Sequence, residues 1–423
     1  MKKRLLQIKD SLIKLFKRKV FLLVICLILL DFLLGVYSRI LINKLPEQAS
    51  ALRWSDEKKM TQVSVFFTED QLIDSDFIRK LEYVLNGKMN DVGIVNDEDD
   101  TTSGTGKKSD TPVIIDTQPL DKPSEEVIET PVETDDSRLY TSCFSAQGIV
   151  SITFENKTAD KINAIGTEGD FFLFHPLELV SGSYYMPDAI MKDGIVIDED
   201  LSWQLFGSDD VVGQMVTIGG VPHYVSGVVK REEGRMRKAS GQTTGIAYIS
   251  YDSLCKYGTI LSGRTENIEI AEDGTKANKG GINCYEVVMP GPVDGIVAKI
   301  VKESTGLDDA YVTVIDNTER FSFFALLNVI LSYGTRSMWS KAIFFPYWEN
   351  LARGYEDILA TLLFIRLICR IVVIVILVIF IIKAYRHKTW TVRGLVNDLM
   401  EKKYDIEVKR QQRKTENKGK PMV

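Results

Sequence analysis

Histidine is scarce: the 423 residues hold only His175, His223 and His387. None has a partner at ligand or nucleophile spacing, so metal-assisted hydrolysis and histidine-activated nucleophiles have no residues to run on. Cysteine is scarce as well, at five residues, with no C-x-x-C pair. That excludes a zinc module and a dense disulfide framework. Cys26 and Cys369 fall in apolar runs, leaving Cys143, Cys255 and Cys284 as expected free buried thiols, a single disulfide being the alternative. A phosphate-binding loop is missing too. GTGKKS at 104–109 lacks the G-x-x-x-x-G-K-[ST] spacing and the flanking strand and helix. Asp198, Glu199 and Asp200 cluster, but at a helix start, where acids cap and favour the dipole. No catalytic, cofactor-binding or metal-binding residue is assigned, and no enzyme activity is expected.

What the chain does have is two long apolar runs, Val20–Tyr37 and Ile358–Ile382, separated by a hydrophilic stretch. A bilayer core of roughly 30 Å takes about 20 apolar residues as helix, so each run spans once. Each must be helical, because lipid offers backbone groups no other partner. Eight Lys and Arg precede Val20 against the single acid Asp10, and twelve follow Ile382 against five acids. Of the chain's 52 basic and 58 acidic residues, 32 and 52 lie between, a net of −20 that the overall −6 conceals. Basic flanks stay inside. Both termini are expected in the cytoplasm and the acidic domain outside, at the cell membrane.

The first run is not read as a cleaved signal, since Asp31 interrupts it and no small-x-small site follows. Cys26 lies mid-helix, unlike a lipoprotein cysteine. Ahead of the run, Leu5, Ile8, Leu12 and Phe16 recur at helical spacing among lysines. Residues 1–19 are expected as an amphipathic helix on the inner leaflet leading into a span at 20–42, with a frayed basic tail as the alternative. Residues 96–138 are acidic, rich in Thr, Ser and Pro, and free of aromatics, so they are expected to be a disordered insertion. Deleting them should leave thermal unfolding of the outer domain nearly unchanged, because loop length costs little. A large loss of stability would show the segment to be structural.

Around the insertion, strand and helix signals alternate through an outer domain at 43–335. Val63, Val65 and Phe67 alternate as a half-buried strand. Phe77, Ile78, Leu81, Val84 and Leu85 form a helical stripe, expected to stop at Asn86-Gly87. GIVSITFENKTADKINAIGT reads as a hairpin, GIVID as a strand and EDLSWQLFG as a short helix. QMVTIGGVPHYVSGVV is a hairpin turning at Gly219-Gly220. GIAYISYDSLCKYG gives strand then helix. YEVVMP, GPVDGIVAKIVKESTG and YVTVID give strand, helix, strand, with Pro292 starting that helix and Val293, Ile296, Val297, Ile300 and Val301 on its apolar face. The expected class is α+β: an extracytoplasmic domain of mixed sheets with helices on one face, held between two transmembrane helices.

Within 165–229 the residues carry a family resemblance. Gly166-Thr167 stands before Phe171-Phe172, then come Gly182, Leu205-Phe206-Gly207, Gly213 and the Val225–Val228 stretch with Gly227. This pattern resembles the periplasmic core domain of MacB-type ABC transporter permeases, relatives of the FtsX-like permeases. In the family most of these residues serve as turns and core. The resemblance departs in span number: those transporters have four spans, three of them after the outer domain. Here one follows, and the apolar stretch 321–333 is too short to be another.

Three ionisable residues lie inside the spans. Asp31 and Arg370 match in depth, at roughly 18 and 20 Å from the inner boundary, and Arg366 is one turn further out. An unpaired charge so deep costs at least ~2.5 kcal/mol, so Asp31 is expected to pair with Arg370 and Arg366. Snorkelling of both arginines to the outer headgroups is the competing reading. Before the second span, residues 336–357 carry Trp339, Phe344, Phe345, Tyr347 and Trp348, expected as an interfacial aromatic joint; packing on the base of the outer domain is the alternative. The tail 383–423 places Val392, Leu395, Val396 and Leu399 at helical spacing, fitting either an ATPase contact or a lipid-lying helix. Its charge fits anionic lipid better than nucleic acid. The resemblance implies a non-catalytic permease-like subunit working with a separate ABC ATPase and with another permease subunit or a second copy, passing force to the outer domain. The alternative is a two-span anchored binding or scaffold protein of the cell envelope.

Overall fold

The computed structural model describes residues 19–55, 59–91, 140–187, 189–231, 234–240, 244–267, 277–334 and 345–386, with residues 400, 403, 404 and 408. The helix expected ahead of Lys19, the insertion at 96–138, Trp339, Phe344, His387 and the tail stripe at 392–399 lie outside the described residues. The chain forms two compact units: Ser38–Thr361, and the segments up to Tyr37 and from Leu362 onward.

In chain order, helix α1 (Lys19–Ile42) is followed by a 3-10 turn (Pro46–Ala49) and α2 (Ser50–Trp54). Then come β1 (Met60–Phe67), α3 (Ser75–Asp91), β2 (Thr141–Phe154), β3 (Lys157–Gly169), α4 (Phe171–Phe174) and β4 (Leu179–Gly182). Next are β5 (Gly194–Asp198), α5 (Glu199–Leu205), β6 (Met215–Ile218), β7 (Val221–Val229), α6 (Arg235–Ala239), β8 (Ile246–Ser250) and α7 (Tyr251–Tyr257). The chain continues with β9 (Thr259–Ile260), β10 (Thr265–Asn267), β11 (Asn278–Gly280), β12 (Ile282–Pro290), α8 (Ile296–Thr305) and β13 (Val312–Asp316). It ends with α9 (Phe323–Leu331) and α10 (Tyr347–Arg386). The fold is α+β with a mixed sheet, and α1 and α10 are long and apolar enough to cross a membrane.

Eleven strands form one sheet, with β10 and β11 as a separate pair. β2 is its spine, pairing with β3 along one edge and with β12, β9 and β6 in turn along the other. Six strands close into a ring. β2 joins β3, β3 runs parallel to β8, β8 meets β5, β5 runs parallel to β7, and β7 and β6 lead back to β2. Closure removes the exposed edges that open sheets must protect. The outer domain's main core gathers Val150, Ile152, Ile195, Ile197, Val216, Ile218, Val225 and Ile249, all buried. Gly219-Gly220 makes the β6–β7 turn with both residues at positive φ, +58° and +85°, which a two-residue hairpin of the required twist demands.

The remaining strands, in the order β13-β1-β12-β2, form a wall covered on both faces. α3 and α8 cover one face with Ile78, Leu81, Leu85, Met89, Val297, Ile300 and Val301. The other face buries Phe66, Cys143, Cys284 and Val288 against Ala51 of α2, Phe171 and Phe174 of α4, and Tyr347 and Trp348 of α10. Helices therefore lie on both faces, not on one, and β1 is buried along its whole length rather than half-buried. The alternation in β1 concealed this because its second face carries the polar Gln62 and Ser64, which are satisfied internally. Gln62 Nε2 donates to the Glu47 carbonyl at 2.7 Å, and Gln62 Oε1 accepts from Ser50 N–H at 3.0 Å.

Two helix ends differ from the sequence expectation. α3 runs past Asn86-Gly87 to Asp91, because Met89 falls one turn after Leu85 and packs into the core, while a Cβ at Gly87 would meet open space. α8 begins at Ile296, and Val293 is exposed rather than on its apolar face, because Gly295 takes the left-handed conformation just before the first turn.

Candidate functional site

A buried chain of polar side chains crosses the second face of the wall. It begins at Ser64 on β1 and Glu286 on β12, which stand opposite each other in the antiparallel register. Ser64 Oγ donates to Glu286 Oε1 at 2.6 Å, and Glu286 Oε2 makes a short hydrogen bond with His175 Nε2. His175 follows α4, its ring held between Phe171 and Trp348 at centroid distances of 4.6 and 4.2 Å. In the other direction Asn317 Nδ2 donates to Ser64 Oγ at 2.6 Å, and Arg320 Nη1 donates to Asn317 Oδ1 at 3.2 Å.

Arg320 is the hub. Asp316, the last residue of β13, accepts from the backbone of Thr318 and Glu319 at 3.0 and 3.4 Å, forming the turn that aims Arg320 inward. Its guanidinium grips Glu349 through two bonds of 2.6 and 2.9 Å and donates from Nε to Glu356. Glu349 and Glu356 are seven residues apart on α10, two helical turns, so both point the same way. Arg353, between them, donates to Glu349 at 2.6 Å and lays its guanidinium 3.9 Å over the Phe345 ring. Arg320, Glu349 and Glu286 are each at most 5% exposed. Burial by itself would lower the Arg320 pKa, but Glu349 and Glu356 hold it above the ordinary arginine value. A charge in such a place persists because its partners replace water bond for bond. The network offers no activated nucleophile. It ties the wall to the first turns of α10.

Tyr347 and Trp348 belong to this junction. Both are buried, Tyr347 hydrogen-bonding the Tyr248 hydroxyl at 3.1 Å and Trp348 packing edge-on to Phe171 at 5.7 Å. Phe345 lies edge-on to Phe66 at 5.2 Å. The expectation of an interfacial belt is therefore corrected for these three: they fill the base of the outer domain. Sealing one such ring away from water stabilises by about 1.5–3 kcal/mol, which an interfacial position forgoes in part. Density of aromatics near a span does not distinguish the two environments. The network was missed because its members are spread from 64 to 356 and each reads as a surface charge. One signal was present: Glu349, Arg353 and Glu356 share a helical face inside an aromatic segment.

In the other unit, Asp31 of α1 accepts from both arginines of α10. Arg366 Nε lies 2.9 Å from Asp31 Oδ1, and Arg370 Nε and Nη2 reach the carboxylate at 3.2 Å. The Arg366 guanidinium lies against Gly35, one turn from Asp31, where a Cβ would come within 3.1 Å of it. The cluster has two cations and one anion.

The motif residues sit at turns and close approaches. Gly182 and Gly227 face each other across β4 and β7. A Cβ at Gly166 would press on Leu254 of α7 at 2.8 Å, and Thr167 hydrogen-bonds the Tyr185 hydroxyl at 2.5 Å. Leu205 is buried, Phe206 packs on Phe154 at 4.3 Å, and Gly207 and Gly213 end turns with positive φ. Cys143, Cys255 and Cys284 are buried thiols outside any disulfide, and burial raises their pKa, that of Cys255 to about 11. His223 is buried in β7 against Ser253, and burial lowers its pKa.

Residues 87–279 match the family model of the MacB-like periplasmic core domain. That part of the chain is thus similar to the periplasmic core domain of MacB-like ABC transporter permeases. On either side of that domain lie α1 and α10, the two helices long and apolar enough to cross a membrane. No curated protein matches it. Among solved structures it is similar to the periplasmic region of MacB from Actinobacillus actinomycetemcomitans, at 13% identity over 65% of this chain and 94% of that one, with a TM-score of 0.34. It is also similar to the extracellular domain of the noncanonic ABC-type transporter YknZ from Gram-positive bacteria, at 14% identity over 60% of this chain and 99% of that one, with a TM-score of 0.32.

Proposed function

We propose that this chain is a non-catalytic permease-like subunit that takes force from a separate cytoplasmic ATPase and delivers it to its outer domain. One observation carries the reading. Helix α10 is unbroken over 40 residues, from Tyr347, inside the outer domain's core, through the second apolar run to Arg386. At 1.5 Å per residue it is about 60 Å long, and it contains no proline at which to bend. Arg320, Glu349 and Glu356 clamp its first turns, so displacement of the helix would be passed to the wall rather than lost in a linker. The partners on this reading are a nucleotide-binding subunit and a second permease subunit or second copy, with the lipid bilayer around them.

The full chain isolated from its own membrane in mild detergent should carry with it an ATPase that has its own phosphate-binding loop. A chain that repeatedly purifies without one favours the two-span binding or scaffold protein. The arrangement also requires the domain outside and both termini inside. A membrane-impermeant maleimide on intact cells should modify Ser109→Cys and leave Thr415→Cys unmodified. Labelling of Thr415→Cys from outside would reverse the topology.

A further inference from the structure

Helix α9 turns an apolar face outward. Its sequence, FFALLNVIL, has one polar side chain, Asn328, and Ser322 caps it by accepting from Ala325 N–H at 3.3 Å. Leu326 is its buried anchor. Phe324 and Leu331 are 74% and 76% exposed, and Phe323 and Tyr333 are exposed beside them. Phe324 and Leu331, seven residues apart, share one face with Phe323 beside them, and the exposed Asn328 lies at its edge. A helix on a water-facing surface carries polar residues there, and a contiguous exposed apolar patch marks a contact with something apolar.

The neighbour of α9 says what that is. The Tyr333 hydroxyl, just past the helix, contacts the Asp357 carbonyl and the Thr361 hydroxyl, each at 3.2 Å. Those two residues bracket Ile358, where the long apolar run of α10 begins. The end of α9 is thereby fixed at the level of the span's first turn, where tyrosine sits with its ring in the headgroup region. Nine residues make a helix of about 14 Å, too short to cross a bilayer of roughly 30 Å but sufficient to lie along it. We infer that α9 is a monotopic membrane helix, resting in the outer leaflet interface with Phe323, Phe324 and Leu331 in the acyl boundary. The occupant of the patch is lipid, because the patch adjoins the point where α10 itself enters the hydrocarbon. The inference is independent of whether an ATPase partner exists.

The test uses the full chain in phosphatidylcholine nanodiscs, with Cys26→Ala and Cys369→Ala to clear the spans of thiols. Nitroxide labels at Phe324→Cys and, separately, Leu331→Cys should collide more with oxygen than with a water-soluble nickel chelate. The control Tyr83→Cys, on the 80% exposed Tyr83 of α3, should show the opposite preference. Collision dominated by nickel at 324 and 331 would place α9 in water and overturn the inference. Exclusion of both reagents would mean that protein, a second copy or another subunit, covers the helix, and would overturn it as well.

Discussion

Arg320→Met is expected to destabilise the outer domain by about 3–5 kcal/mol, because it takes away the buried cation that Glu349 and Glu356 share. Glu349 would keep Arg353, but the guanidinium that bridges Glu349 and Glu356 to the wall would be gone. Arg320→Lys keeps the charge but cannot grip two carboxylates through a planar fork, so its loss should be smaller but still measurable. Arg320→Met combined with Glu349→Leu and Glu356→Leu should recover most of the deficit. Denaturant unfolding of the full chain in detergent, followed by tryptophan fluorescence, gives these numbers. Parental stability in Arg320→Met alone would mean that the network does not hold the junction.

The second large effect is expected from Asp31. Asp31→Leu leaves Arg366 and Arg370 facing each other between the spans, and should weaken assembly of the chain by at least ~2.5 kcal/mol, the cost of one uncompensated charge at that depth. Replacing Asp31 and Arg370 together should recover part of this. Replacing Arg366 as well should recover most, since Gly35 then has no guanidinium to accommodate. A double-mutant cycle on assembly in membrane or detergent reads the coupling, and contacting charges of this kind couple by about 0.5–3 kcal/mol. A coupling of zero would mean that the arginines reach lipid headgroups instead. The three charges sum to one excess cation, so the same cycle is worth repeating with any partner subunit that supplies a carboxylate at this level.

The two long apolar helices, the α+β class and the likeness to the MacB-like core domain were legible in sequence because each is written locally: in unbroken apolar runs, in alternation, and in a cluster of motif residues between Gly166 and Gly227. The sequence was less informative wherever distant segments meet. Closure of the ring depends on Ile152 meeting Ile218, and neither residue's neighbourhood encodes the other. The second helical layer was invisible because Gln62 and Ser64 look like residues on a solvent face until Ser50, Glu286 and Asn317 are brought to them. Tyr347 and Trp348 show the same ambiguity from the apolar side. Lipid headgroups and a protein base both reward an amphipathic ring, and only Phe171, His175 and Tyr248, far off in the chain, select between them.

The position of β1 has a consequence for synthesis. Phe66 pairs with Cys284, and Phe67 pairs with Val312 on the other flank. The first strand made is thus completed by nearly the last two strands of the domain. Such a contact order makes folding slow and global rather than progressive. While the chain is being made, β1 must wait with both its hydrogen-bonding edges open. Destabilising substitutions in β12 or β13 should show themselves as degradation of newly made chains before any defect appears in the mature protein.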